Sequence, residues 1–377
     1  MKPVTFVDVS DIHWGNNRLS PQKMLDNQRT YLYPYIKKSK LVFINGDYFD
    51  AAIGLIERSA HFLIIGIVEI LALCHEHNIP LRIVQGTWTH DRTQHQIFEA
   101  EYEAHKFTND LKVIRSVQLE YIKEYDLRVL YIPDDMPFAS SDELMANVAK
   151  QMADIGWDYV DYAFVHGTFD FSLAQVVKIP IVFRRDQFSF VKFKVLIGHI
   201  HTPYAKGKFV HSGSFDRMCH GEEEPKGFLF VENYGKKDTT TFIENKGASL
   251  FRTFDYTNCP PDTNIEDVFN RDLESIPHGE NEKIFVRVIH PSKEVRIGLG
   301  KSCSRMGNLI DYTHKASPGE DDPDAYVVVE DLPDITKLKP PSPENLPELI
   351  IEDLAQDPNK TLDLSLSDVR SMLASIS

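Results

Sequence analysis

At 377 residues, 42% hydrophobic and 26% charged, the chain exceeds one ordinary core, so about two globular domains with appendages are expected. Its net charge of −15 argues against a generic basic nucleic-acid coat, although residues 317–377 alone contribute −10 (14 acidic against 4 basic side chains), leaving −5 for the rest. Four scattered cysteines (Cys74, Cys219, Cys259, Cys303), with no CxxC pair, exclude a disulfide or thiolate-zinc framework and suit a reduced, cytosolic protein.

Met1-Lys2-Pro3 carries no secretory pattern and leads into a predicted strand at 5–9. A helical pattern at 21–38 and a buried strand at 41–44 follow, then a long helix at 56–77. The apolar core of that helix, 62–74, is interrupted by Glu69 and short for a bilayer, so no membrane attachment is expected. Further elements are a strand at 81–84, a helix at 96–105, a strand at 127–132 and an amphipathic helix at 142–154 capped by Ser140 or Ser141. Strands at 162–165, 195–197, 208–211 and 227–231 come next. Alternation of β and α that turns into strand after strand predicts an α/β fold, a sandwich of two sheets flanked by helices. Residues 1–247 form this main domain. A helix at 264–276, a strand at 283–289 and part of an element at 306–310 make 248–316 a small α+β domain. An acidic, Pro-rich linker spans 317–345, interrupted by a strand-like 326–329, and two short amphipathic helices at 346–355 and 367–376 form a helical tail.

Five clusters carry chemistry, each where a predicted strand gives way to a loop. Asp11-Ile12-His13 places a carboxylate and an imidazole on one side of an extended segment. In Gly46-Asp47-Tyr48-Phe49-Asp50 the glycine allows a tight turn that frees both Asp47 oxygens to bridge two cations. Gly86-Thr87-Trp88-Thr89-His90-Asp91, His166-Gly167 and Gly198-His199-Ile200-His201 complete the series. Singly, each motif is weak evidence. In this order they point to a two-metal hydrolase.

This order resembles that of the calcineurin-like metallophosphoesterases, and Ser212-Gly213-Ser214-x-x-Arg217 followed by Gly221-Glu222-Glu223-x-x-Lys226-Gly227-Phe228 resembles the SbcD-type nucleases of double-strand-break repair. The motifs span residues 5–231, and the pattern to 316 agrees loosely. The resemblance implies an αββα sandwich with 248–316 as a capping, DNA-binding domain. It implies two divalent ions, Mn²⁺ foremost with Fe²⁺, Zn²⁺ or Mg²⁺ as alternatives, and exo- and endonuclease action on double-stranded ends and single strands. It also implies a homodimer within a heterotetramer with an SbcC-type ATPase, in the cytoplasm or, for a phage-encoded member, the host cytoplasm. By motif position Asp11, His13 and His201 would hold one ion, Asp47 would bridge, and His166 and His199 would hold the other. His90 would be the catalytic histidine, with Asp50 as its orienting partner.

The third motif departs from the family. Gly-Asn-His is expanded by two residues and the Asn is missing, so Thr89 is assigned as the substitute donor, with Thr87 and His95 as alternatives. A weaker second metal site is expected, since a hydroxyl is a poorer donor than an amide oxygen. Arg217, Arg184, Arg185 and Trp88 are the candidate DNA contacts, with a solvated face an equal reading for the arginine pair, Lys192 and Lys194. Asp134-Asp135 follows a strand and is read as a cap for the following helix ahead of an approach to the metals, Asp8 as a loop or strand-edge group ahead of a ligand, and His211 and His220 as structural or rim residues. The tail is read equally as an ATPase-docking element and as helices packed on the body. Two other functions fit the sequence: a phosphodiesterase for cyclic nucleotides or other small phosphoesters, and a non-catalytic subunit that binds DNA ends.

Overall fold

The computed structural model describes residues 3–54, 58–171, 181–260, 262–278, 283–305 and 309–316. The linker at 317–345, its strand-like 326–329 and the tail helices at 346–355 and 367–376 lie outside the described residues. The described residues fall within one unit, Met1–Pro318.

In chain order the strands begin with β1 (Val4–Val9), β2 (Leu41–Asn45), β3 (Leu81–Val84) and β4 (Leu111–Ile114). Then come β5 (Gln118–Ile122), β6 (Leu127–Ile132), β7 (Val160–His166), β8 (Thr168–Phe169), β9 (Val182–Phe183) and β10 (Val191–Gly198). The series ends with β11 (Tyr204–Lys206), β12 (Phe209–His211), β13 (Gly227–Asn233), β14 (Asp238–Glu244), β15 (Leu250–Asp255), β16 (Ile284–Ile289) and β17 (Ile310–Lys315). Helices are α1 (Pro21–Asn27), α2 (Tyr33–Ile36), α3 (Arg58–Glu76), α4 (Trp88–Asp91), α5 (Gln96–Ala104), α6 (Ser141–Asp154), α7 (Ile265–Glu274) and α8 (Lys293–Arg305).

Two six-stranded mixed sheets, ordered β14-β13-β1-β2-β3-β4 and β11-β12-β10-β7-β6-β5, face each other. Strand alternation explains the layering. In β1, Val7 and Val9 join Val42, Ile44 and Ile83 beneath Met24, Leu25, Leu63 and Ile67 of α1 and α3. Phe6, one residue out of phase, joins Phe43, Tyr162, Phe164 and Leu196 between the sheets, where Phe43 stacks on Phe164 at 3.8 Å. Beyond the second sheet, Leu130, Ala163 and Val195 meet Leu144, Val148 and Met152 of α6. This is the expected αββα sandwich.

A third sheet, β15-β16-β17, is all parallel and packs with Phe269 and Leu273 of α7 and Leu299 of α8 around its own core. The order β15-α7-β16-α8-β17, with parallel strands throughout, makes this part a small α/β unit where α+β was expected.

Several boundaries differ from expectation. The pattern at 21–38 resolves into α1, a π-helical turn at Gln28–Leu32, and α2. The amphipathic helix is capped by Ser140, whose hydroxyl accepts from Glu143 N–H at 3.2 Å, so Asp134-Asp135 does not cap it. Within α3, Ser59–Glu76 is longer than the 62–74 stretch and is, by length and composition, able to cross a membrane. Its Leu63, Ile67, Ile70, Leu71 and Cys74 belong to the core over the first sheet.

Candidate metal centre

The centre lies where β1, β2, β3, β7 and β10 end. The first two motif loops run side by side: Asp11 N–H donates to Gly46 O (3.1 Å), His13 N–H to Asp47 O (3.1 Å) and Asp50 N–H to Trp14 O (2.8 Å). The turn that this pairing demands is tight, and Asp11, His13, Asp47 and His199 all adopt left-handed backbone with φ of 52°, 55°, 48° and 83°. Non-glycine residues adopt such φ values at a cost, and they concentrate at functional sites. Gly46 also has positive φ (+84°), and a Cβ there would collide with the His166 imidazole. A Cβ at Gly86 would collide with Asp47, so both glycines let backbone press against the donor groups.

Two groups of donors result. Asp11, His13 and His201 each offer an atom within 4.8 Å of the others, and so do Asp47, His166 and His199. A third such group joins His13, Asp50 and His90.

Polar groups on the far side of each ring bear on what faces inward. His201 Nδ1 is 2.7 Å from Glu222 Oε1, and His13 Nδ1 is 3.1 Å from Asp50 Oδ1. A carboxylate beside Nδ1 holds the ring proton there and leaves a lone pair on Nε2. Yet His13 Nε2 and His201 Nε2 face each other at 3.2 Å. His166 repeats the arrangement. Its Nδ1 donates to Asn45 O at 2.7 Å, while its buried Nε2 sits 3.2 Å from Asp47 Oδ2. With the rings neutral, no proton lies between the facing atoms at either place, and a cation fits each cluster. The donors are imidazoles and carboxylates, without thiolate, which suits divalent ions.

Burial works against protonation, but Asp47 pushes His166 well above the ordinary imidazole range, and Glu222 and Asp11 raise His201 likewise, so a cation competes with a proton at each place. Burial tends to raise the Asp47 carboxyl, but His166, with His13 and His90 beyond it, holds it well below the ordinary range. Burial and the neighbouring His166 push His199 down, toward the neutral imidazole that binds metals. Burial raises Glu222, but the bond to His201 outweighs it and lowers the carboxyl to about 2.

His90 stays at the centre despite the two inserted residues. Trp88 and Thr89 are absorbed into the helical turn α4, and the His90 ring meets the His13 ring edge-on at 4.8 Å. His90 Nδ1 bonds the Asp50 backbone carbonyl, while Asp50 Oδ1 accepts from Asn16 Nδ2 at 3.1 Å.

Thr87, rather than the assigned Thr89, supplies the hydroxyl. Thr87 Oγ1 is 3.3 Å from Asp47 Oδ2 and 3.3 Å from His199 Nδ1, whereas Thr89 is exposed on the turn. The physical reason is the turn itself, which keeps the residue directly after Gly86 over the pocket. His95 is buried behind Asp91, with Nε2 3.3 Å from its carboxylate.

Among the candidate DNA contacts, Trp88 is 52% exposed. Arg217 is half-buried and donates to Glu224 O (3.2 Å) and Ser249 O (3.1 Å), tying its loop to the start of β15. Arg184 pairs with Asp142 at 2.7 Å, and Arg185 lies over the Phe171 ring and donates to Tyr204 Oη at 2.7 Å.

Three residues that matter here draw no role from the sequence. Buried Asp91 accepts from the backbone N–H groups of Gly86 (2.7 Å), Asp47 (3.0 Å) and Phe49 (3.1 Å), clamping the second and third loops together. Glu222 orients His201, and buried Lys226 donates to His201 O at 2.8 Å. The latter two fall in the Gly-Glu-Glu-x-x-Lys stretch, and that motif is their available signal.

No family model and no curated protein matches this chain. Among solved structures, the crystal structure of TT1561 of Thermus thermophilus is 9% identical with a TM-score of 0.36, over 64% of this chain and 100% of that one. A second crystal structure is 11% identical with a TM-score of 0.34, again over 64% of this chain and 100% of the other.

Proposed function

We propose that the chain is a metal-dependent phosphodiesterase of the SbcD type that cuts DNA with Mn²⁺, alongside an SbcC-type ATPase in recombination or break repair. The supporting observation is the convergence of donor atoms: His13 Nε2 faces His201 Nε2, and His166 Nε2 faces Asp47 Oδ2, each at 3.2 Å. Asp11, His13 and His201 would hold one ion, His166 and His199 the other, with Asp47 between them. Such a pair of ions supplies an activated water and neutralises phosphoryl charge.

The chain's own residues do the rest. Because Nδ1 of His90 is committed to the Asp50 carbonyl, Nε2 is the nitrogen left to carry a proton to the leaving oxygen. Asp50 fixes both His13 and His90, tying proton transfer to ligand position. DNA as substrate rests on the resemblance of the 212–228 stretch and on exposed Trp88 beside the centre, an aromatic face on which a base can stack.

The test is labelled linear DNA with Mn²⁺, using wild type and His90→Ala. Release of nucleotides by wild type, with cutting lost but ions retained in His90→Ala, is expected. Cleavage of small model diesters with DNA left intact would move the substrate to small phosphoesters. Gel retardation without products would contradict hydrolysis.

A further inference from the structure

Thr87 holds the position directly after Gly86 where the resembled family carries Asn, and one hydroxyl has one proton to give. Two carboxylate oxygens and an imidazole nitrogen surround Thr87 Oγ1: Asp134 Oδ2 at 3.1 Å, Asp47 Oδ2 at 3.3 Å and His199 Nδ1 at 3.3 Å. The hydroxyl can serve only one of the two carboxylates, so the other keeps a lone pair directed into the same space. His199 Nδ1 is also 3.7 Å from Asp134 Oδ2, so carboxylate and imidazole converge without a bond between them. Beside them, His166 Nε2, fully buried and without a hydrogen-bond partner, faces Asp47 Oδ2.

Asp134 is held in that place by its own loop. Its backbone N–H donates to Gln85 O at 3.3 Å, pinning the loop after β6 to the loop after β3. Its Oδ1 accepts from Asp135 N–H at 2.8 Å, which leaves Oδ2 to the pocket. Asp135, in left-handed backbone, accepts from Trp88 N–H at 2.6 Å and so caps the turn made by the two inserted residues. Insertion and acidic pair thus form one device. The expanded third loop leans on Asp135 and brings Thr87 against Asp134.

We propose that Asp134 is a ligand of the second metal ion, its carboxylate replacing the family's missing amide and Thr87 bridging it to Asp47. This deepens the two-metal reading above and stands only with it. A carboxylate brings a full negative charge where an amide brings a dipole, so the second cluster holds a hard divalent ion with two carboxylates and two imidazoles. On this account the second site is complete rather than weakened.

The experiment is Mn²⁺ titration by calorimetry of the metal-free full chain, with circular-dichroism melts as the check on folding. Wild type is expected to take two ions. Asp134→Asn restores an amide-type donor and is expected to bind the second ion about tenfold more weakly. Asp134→Ala is expected to take one ion, and Thr87→Asn with Asp134→Ala to regain the second. Unchanged affinity for both ions in folded Asp134→Ala would overturn this proposal and leave the two-metal reading standing. Should Asp134→Ala unfold, an unchanged second ion in Asp134→Asn would overturn it equally. Fewer than two ions in wild type would remove the two-metal reading itself, and this proposal with it.

Discussion

The two donor clusters sit side by side but are assembled differently. In the first, both histidines are backed by carboxylates, Asp50 behind His13 and Glu222 behind His201, and Asp11 accepts the His199 N–H at 3.0 Å. In the second, His166 is backed only by the neutral Asn45 carbonyl, and the remaining space is closed by Thr87 and Asp134 from different loops. A charged partner makes an imidazole more basic and fixes its tautomer more firmly. The first cluster is therefore set by carboxylates the motifs themselves carry, while the second rests on a neutral carbonyl and on two further loops. Both draw donors from both sheets and depend on the sheets meeting correctly. Asn45 shows this dependence, since its Nδ2 donates to Leu196 O of the opposite sheet at 3.1 Å while its carbonyl holds His166.

The comparison can be broken most forcefully at the residue that belongs to neither ion. His90→Gln should lower cleavage by about 10²–10⁴-fold with both ions retained, measured as rate beside metal content. Loss of an ion in that variant would make His90 a ligand instead. Next in size, Asp91→Ala strips the acceptor from three backbone N–H groups joining the second and third loops, and should cost at least about 3 kcal/mol in denaturant unfolding. Because the first motif loop pairs with Asp47 through its own backbone, the second ion should be lost before the first. Glu222→Gln sharpens the contrast from the other side. It should weaken the first ion by roughly 10–100-fold and spare the second, and calorimetry showing equal weakening would mean the clusters are not separable.

The smallest effect concerns Asp8, which shares the inter-sheet face of β1 with Phe6. Burial, and secondarily the Asp11 carboxylate, pushes its carboxyl from 3.8 to about 8. An acid whose folded pKa is raised stabilises fully below its unfolded value and loses that contribution as pH climbs to the folded one. In metal-free protein the stability advantage of Asp8→Asn should therefore widen between about pH 4 and pH 8, by up to roughly 1.4 kcal/mol per unit. Mn²⁺ held by Asp11 should narrow it, because a nearby cation favours the ionised form. A gap indifferent to pH would show that Asp8 is paired.

Much of this centre is legible in the sequence because buried strands are apolar runs that end abruptly at glycine, Asp and His. The loops after β1, β2, β7 and β10 bring Asp11, His13, Asp47, His166, His199 and His201 together as their order suggests. Edge strands such as β4 and β14, with half-exposed alternation and polar residues, carry no such run and are not legible. The same holds for β5, α8 and β17. Spacing favours Thr89 over Thr87 because position along a chain does not reveal that residues 88–91 coil into a turn. Asp134 reads as a helix cap for a related reason. Its contact with Thr87 joins loops 47 residues apart, and only the packing of one sheet on the other makes them neighbours.

The central claim is that two cations occupy the places where the histidine and carboxylate donors converge. Anomalous diffraction from crystals grown with Mn²⁺ tests it most directly. One peak is expected between His13 and His201 near Asp11, and a second among Asp47, His166 and His199. Fully formed loops with no peak at either place, or with protons shown to bridge the facing nitrogens, would contradict it.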